Sequence, residues 1–162
     1  RKEKRIRYQA YIRKLAQALR TELFLGEYAL DIVFFKGAIP DYENAAATCD
    51  VDNTYLDITV KVAGIVQKHW RNKHYWTICN ILCHELCHAL TDPLYHCSIQ
   101  RIPDKKIGAW GLVNNEWERV RERQTQRITN VVMALLPKSF YWPATVGNVK
   151  TGPKPVHRGG KT

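Results

Sequence analysis

The pentad His84-Glu85-Leu86-Cys87-His88 constrains this chain more than any other stretch. It lies in residues 77–90, which read as a helix closed by Thr91-Asp92-Pro93. At ~100° per residue, His88 falls about 40° from His84, and Glu85 about 100° from it. Cys79, Cys83, Leu86 and Leu90 fall on the opposite side. A helix patterned this way is buried on one face and turns two imidazoles and a carboxylate toward a cleft. The fold must therefore place a packed layer behind it and leave a gap in front.

Two histidines four residues apart sit one turn from each other on a helix and can grip one ion. Neutral imidazole suits Zn²⁺, and the intervening Glu85 is placed to act as general base on a metal-activated water. A catalytic zinc takes three protein ligands and keeps an open position. Asp92, His96, Asp104 and Glu116 are the candidates for the third. Glu116 is the preferred one, because it lies near the start of a second long helix and flanks that helix's apolar stripe beside Trp117. Cys87 is nearer the metal side than Cys79 and Cys83 and stands as a further alternative ligand. The other two cysteines read as packing. The chain has five cysteines, an odd number, and no CxxC pair. Three of them recur every four residues, which is helical spacing and not a disulfide framework. Buried free thiols suit a reducing compartment, so the expected location is cytoplasmic.

Around this motif the elements alternate. Residues 5–25 read as a helix, with Tyr8, Ile12, Leu15, Leu19 and Leu23 on one stripe and Gly26 as its stop. Residues 28–35, 45–49 and 55–62 read as strands, the last two joined by a turn at Asp50-Val51-Asp52-Asn53. A short helix follows at 63–70. Residues 94–111 read as a long connection. The last helix, 112–136, carries Val113, Trp117, Val120, Gln124, Ile128, Val131 and Leu135 on one stripe, and Pro137 ends it. The expected class is α+β in a single domain over residues 1–142. Residues 143–162, with four glycines and three prolines, form a basic tail with little to bury. No run of eighteen apolar residues occurs, so no membrane span is expected.

The net charge of +10 is concentrated at the ends. Residues 1–20 hold eight Lys or Arg against one Glu, and residues 138–162 hold five against none. Basic ends attract nucleic acid or another polyanion, and equally solvate a helix face. Residues 68–76 add a basic-aromatic patch with Lys68, Trp70, Arg71, Lys73 and Trp76. Its interleaving suits base stacking and phosphate neutralisation, or a loop whose tryptophans cover the core edge.

HExxH followed by a glutamate on the next helix resembles the gluzincin metallopeptidases. The twenty-eight residues from His88 to Glu116, with Leu56-Asp57-Ile58-Thr59-Val60 before the motif, are similar to ImmA/IrrE-type proteases and minigluzincins. Residues 46–49 and 56–59 bear a weaker similarity to the strand pair of SprT-like proteases. The resemblance spans about residues 28–137. It implies a zincin-like fold: an N-terminal helix, a small twisted and mostly antiparallel sheet, the HExxH helix and a long Glu-bearing helix. It also implies a zinc endopeptidase with His84, His88 and Glu116 as ligands and Glu85 as base. Tyr95, His96 or Arg119 would assist the oxyanion, and the strand at 45–49 would be the edge that binds extended substrate. The alternative is a zincin-fold binding or regulatory protein that engages nucleic acid or a protein partner through its basic ends. A protease directed to DNA-bound proteins would combine the two.

Overall fold

The computed structural model describes residues 2–100 and 110–143. Four helices and a three-stranded sheet follow in the order α1 (Lys2–Glu22), β1 (Ala29–Phe34), β2 (Ala47–Asp52), β3 (Asp57–Val62), α2 (Gly64–Arg71), α3 (Tyr75–Gln100) and α4 (Trp110–Leu135). A short 3-10 turn, Lys138–Tyr141, closes the described chain. The class is α+β. None of the described helices is long and apolar enough to cross a membrane.

α1 buries the stripe expected of it, with Ile12, Leu15 and Leu19 fully enclosed and Arg5, Arg7, Arg13 and Lys14 exposed. Gly26 is not what stops it. Phe24 takes the left-handed conformation (φ 57°), and Leu25 N–H and Phe24 N–H bond back to Arg20 O and Thr21 O. These two bonds are the Schellman pattern, which satisfies carbonyls the helix end would otherwise leave open. Leu25, just past the turn, is buried, so its packing offsets the cost of a left-handed non-glycine residue.

The sheet has the order β1-β3-β2. β1 runs parallel to β3, and β2 antiparallel to it. The sheet is thus mixed, where a mostly antiparallel one was expected. Side chains alternate cleanly along β3: Ile58, Val60 and Val62 are buried, while Asp57, Thr59 and Lys61 lie on the other face. The register aligns Leu30, Ile32 and Phe34 of β1, and Val51, Cys49 and Ala47 of β2, with these buried residues. One face therefore joins the core shared with α1 and α3, and the other carries charge, including a Lys61–Asp50 pair at 2.6 Å. The turn from β2 to β3 comes later than its sequence suggests. Asp50 and Asp52 are still in the strand, and Asp52 Oδ1 accepts from Thr54 N–H (2.8 Å) and Tyr55 N–H (3.2 Å). The Asx-type bond that marks the turn is as expected, but it acts from the strand's last residue.

Gly64 opens α2 where no side chain fits: a Cβ there would collide with the Lys36 carbonyl, and Gly64 N–H bonds Gly37 O at 2.8 Å. At the far end, the 3-10 turn lies back on the core. Tyr11 Oη donates to Tyr141 O at 2.7 Å, and Trp142 meets the Tyr75 ring edge-on at 5.2 Å.

α3 is longer than its sequence suggests. It passes through Thr91-Asp92-Pro93 and continues to Gln100. Proline removes one backbone donor from a helix interior and crowds the preceding turn. Here the helix is held against α4 at that level by Thr91 Oγ1, 2.9 Å from Thr125 Oγ1. The connection expected over 94–111 is helical to residue 100, and its remainder falls largely outside the described residues.

Candidate metal centre

α3 packs against the sheet and α1 through Ile78, Cys79, Leu82, Cys83 and Leu86, all without exposed surface. That anchoring turns the opposite side outward, beside β2. Leu90 departs from the pattern and is 37% exposed. His84 and His88 stand one turn apart with ring centroids 5.1 Å from each other and planes nearly perpendicular. Their side chains are 21% and 9% exposed, so both sit in a cleft wall rather than on open surface.

α4 brings the third group. Glu122 Oε2 lies 3.4 Å from His84 Nε2, and Glu122 Oε1 lies 3.6 Å from His88 Nε2. One ligand atom from each of the three residues falls within 4.8 Å of the others. Ligands held about 2.0–2.1 Å from a tetrahedral ion stand ~3.4 Å from one another, close to the two Glu122–histidine distances. Two nitrogens and one carboxylate oxygen form a donor set that zinc accepts. The electrostatics agree. The hydrogen bond from His84 brings the Glu122 carboxyl down to about 2, and the same bond raises the His84 imidazole.

Glu116, the expected third ligand, does not join this group. It is exposed and pairs with Arg123 at 3.0 Å and Arg119 at 3.6 Å. Six residues separate it from Glu122, which places the two about 240° apart around the helix. The physical reason lies in the face that α4 buries. Val131 and Leu135, members of the expected stripe, are 61% and 79% exposed. The face packed on α3 instead carries Thr125 and Thr129, both fully buried, with Met133 and half-buried Ile128 and Val132. Thr129 Oγ1 donates to Thr125 O at 2.8 Å, and Thr91 meets Thr125, so these hydroxyls are satisfied inside the contact. Glu122 precedes Thr125 by three and Thr129 by seven and so shares their face. The signal was present as Glu122, Thr125, Thr129 and Met133 at helical spacing, but it is written in polar residues.

Asp92 lies behind the site without joining the three. It is 8% exposed, with Oδ1 3.5 Å from His88 Nδ1 and 3.7 Å from Arg121 Nη1. Arg121 also meets Glu122, Nη2 to Oε1 at 3.2 Å. A carboxylate behind a histidine fixes which ring nitrogen faces the metal. Cys87 is fully buried, and Cys83 and Thr129 beside it hold its thiol below the usual range, so it faces the α3–α4 contact. His96, Tyr95 and Asp104 lie outside the residues whose side chains are described. Arg119 is 75% exposed and occupied with Glu116.

Glu85 lines the same cleft of about 600 Å³ as His84, His88 and Glu122. Burial raises its carboxyl, against the pull of the two neighbouring imidazoles. The opposite wall is β2, an edge strand of the sheet. Ala63 N–H bonds Ala46 O, which makes residues 46, 48 and 50 the hydrogen-bonded partners of β3. The backbone groups of Ala47, Cys49 and Val51 therefore point away from β3, toward the free edge.

No protein-family model matches this chain, and neither a curated protein nor a solved structure does.

Proposed function

We propose that the protein is a zinc-dependent endopeptidase in which His84, His88 and Glu122 hold the metal and Glu85 is the general base. The convergence of those three ligand atoms beside a half-buried glutamate and an open strand edge carries this reading. A zinc ion bound there supplies a Lewis acid that polarises a scissile carbonyl and makes water acidic enough to ionise near neutral pH. Glu85 takes the proton of the attacking water and delivers it to the departing amide nitrogen. Asp92 keeps His88 in one orientation, and Arg121 holds Asp92 and Glu122 in register. The free backbone groups of Ala47, Cys49 and Val51 receive an extended peptide as an added strand. An edge that binds backbone along its length suits internal peptide bonds, hence an endopeptidase.

Metal analysis of the purified chain, combined with proteolysis profiling of the wild type and Glu85→Gln on peptide libraries, tests this. One zinc per chain in both proteins, with cleavage only in the wild type, is the expected result. Zinc without cleavage by either protein would favour a binding or regulatory role, and absence of any bound metal would end the proposal.

A further inference from the structure

The edge of the sheet opposite the metal cleft holds a second concavity, of about 640 Å³, between the start of α1, the end of β1 and the end of α2. Four cations line it: Lys4, Arg5, Lys36 and Arg71. All four are exposed, no acidic residue is in its described lining, and no ion pair to them occurs among the described residues. Several basic groups elsewhere are paired, among them Arg7 with Glu3, Lys61 with Asp50 and Arg123 with Glu116. An unneutralised concave cluster focuses positive potential on whatever enters it.

Beneath the cations is an aromatic floor. Tyr8 meets Phe34 at 5.7 Å and Trp70 at 5.9 Å, and Phe35 joins the lining. Trp70 and Phe34 are half-buried; the Arg13 guanidinium lies over the Phe34 ring at 5.0 Å, so Trp70 is the ring left to stack on a ligand. The Trp70 indole Nε1 is buried with no hydrogen-bond acceptor among the described residues. A buried donor without an acceptor is costly. Gln9 and Gln67 add side-chain amides that both donate and accept.

We propose that this groove binds single-stranded nucleic acid, with bases against the aromatic floor and phosphates on the four cations. Cations at a rim over stacking platforms are the recurring means of holding a single strand. The volume is that of a small-molecule cleft, ~300–1,000 Å³, which admits a few nucleotides of a single strand and no duplex. An acidic peptide would match the charge but leave the aromatic faces unused. Of the basic-aromatic patch at residues 68–76, only Trp70 and Arg71 reach the groove. His69 instead pairs with His74, ring centroids 5.8 Å apart. The inference stands independently of the peptidase reading.

The test is fluorescence anisotropy of a labelled oligo-dT of about twelve nucleotides, within the usual span of single-strand sites, titrated with the full chain at several salt concentrations. Circular dichroism checks that each variant is folded. Arg5→Glu with Arg71→Glu should weaken binding at least ~10-fold and lower the salt slope by about 1.4, two cations at ~0.7 each. Trp70→Phe should abolish the tryptophan quenching that accompanies binding. Lys150→Glu with Lys154→Glu, the same reversal in the basic C-terminal stretch, should have a much smaller effect. The proposal is overturned if the wild type does not bind the oligonucleotide. It is also overturned if the C-terminal reversal weakens binding as much as the groove reversal, or if poly-glutamate displaces the oligonucleotide at equal charge concentration.

Discussion

α3 and α4 have equal length and meet along the candidate metal centre, yet they bury different chemistries. α3 presents thiols and aliphatic groups to the core and keeps its polar groups for the cleft. α4 presents hydroxyls, Thr125 and Thr129, to α3 and leaves Val131 and Leu135 in solvent. The difference follows from what each helix packs against. α3 lies on a sheet and α1 whose inner faces are apolar, where only apolar surface gains by burial. α4 lies on the flank of α3 at Thr91, where satisfied hydroxyls serve as well. A hydrophobic stripe therefore locates the buried face of α3 and mislocates that of α4.

The largest effect should come from the polar side of α3. Glu85→Gln should retain zinc and lose ~10²–10⁴-fold or more in peptide turnover, measured on a cleavable library substrate. Near wild-type turnover would remove the general base from the mechanism.

Next comes the face of α4. Loss of a ligand's supporting partner costs ~10–100-fold in metal affinity. Glu122→Ala, which removes a ligand itself, should cost more, while Glu116→Ala should leave affinity unchanged in competition titrations. The reverse order would show that α4 is turned as its apolar stripe suggests, and the contrast between the two helices would fall.

Stability should separate the helices on their buried sides. Leu86→Ala, at a site with no exposed surface, should cost about 3 kcal/mol in urea unfolding. The double change Cys79→Ala with Cys83→Ala should cost about 1–2 kcal/mol with zinc stoichiometry intact. Loss of zinc from that folded double variant would mean that the apolar side of α3 also serves the metal. Thr125→Val should cost only about 1 kcal/mol, because Thr91 keeps the Cys87 and His88 carbonyls within 3.4 Å. A cost equal to that of Leu86→Ala would mean that the hydroxyl contact carries as much stability as the apolar core.

The α+β class, the helix carrying His84, Glu85 and His88, and the three strands were legible because each rests on local periodicity. Inward residues in β3 repeat every second position, and those of α1 and α3 every third or fourth. The continuation of α3 past Pro93 was not legible, because neighbours outside the segment hold a helix through a proline. The parallel pairing of β1 with β3 was not legible either, since a strand's pattern states which side chains face the core and says nothing of its partner's direction.

The sequence by itself determined the pair of histidines, the glutamate between them and the buried face that aims them, because residues one turn apart on a single helix need no other element to be brought together. Only the tertiary structure decided which acid completes the group. That choice depends on the rotation of α4 about its own axis, and side chains on two different helices meet according to how their surfaces pack. Here that packing is centred on Thr125 and Thr129 with Met133, so Glu122 faces the histidines and Glu116 faces water.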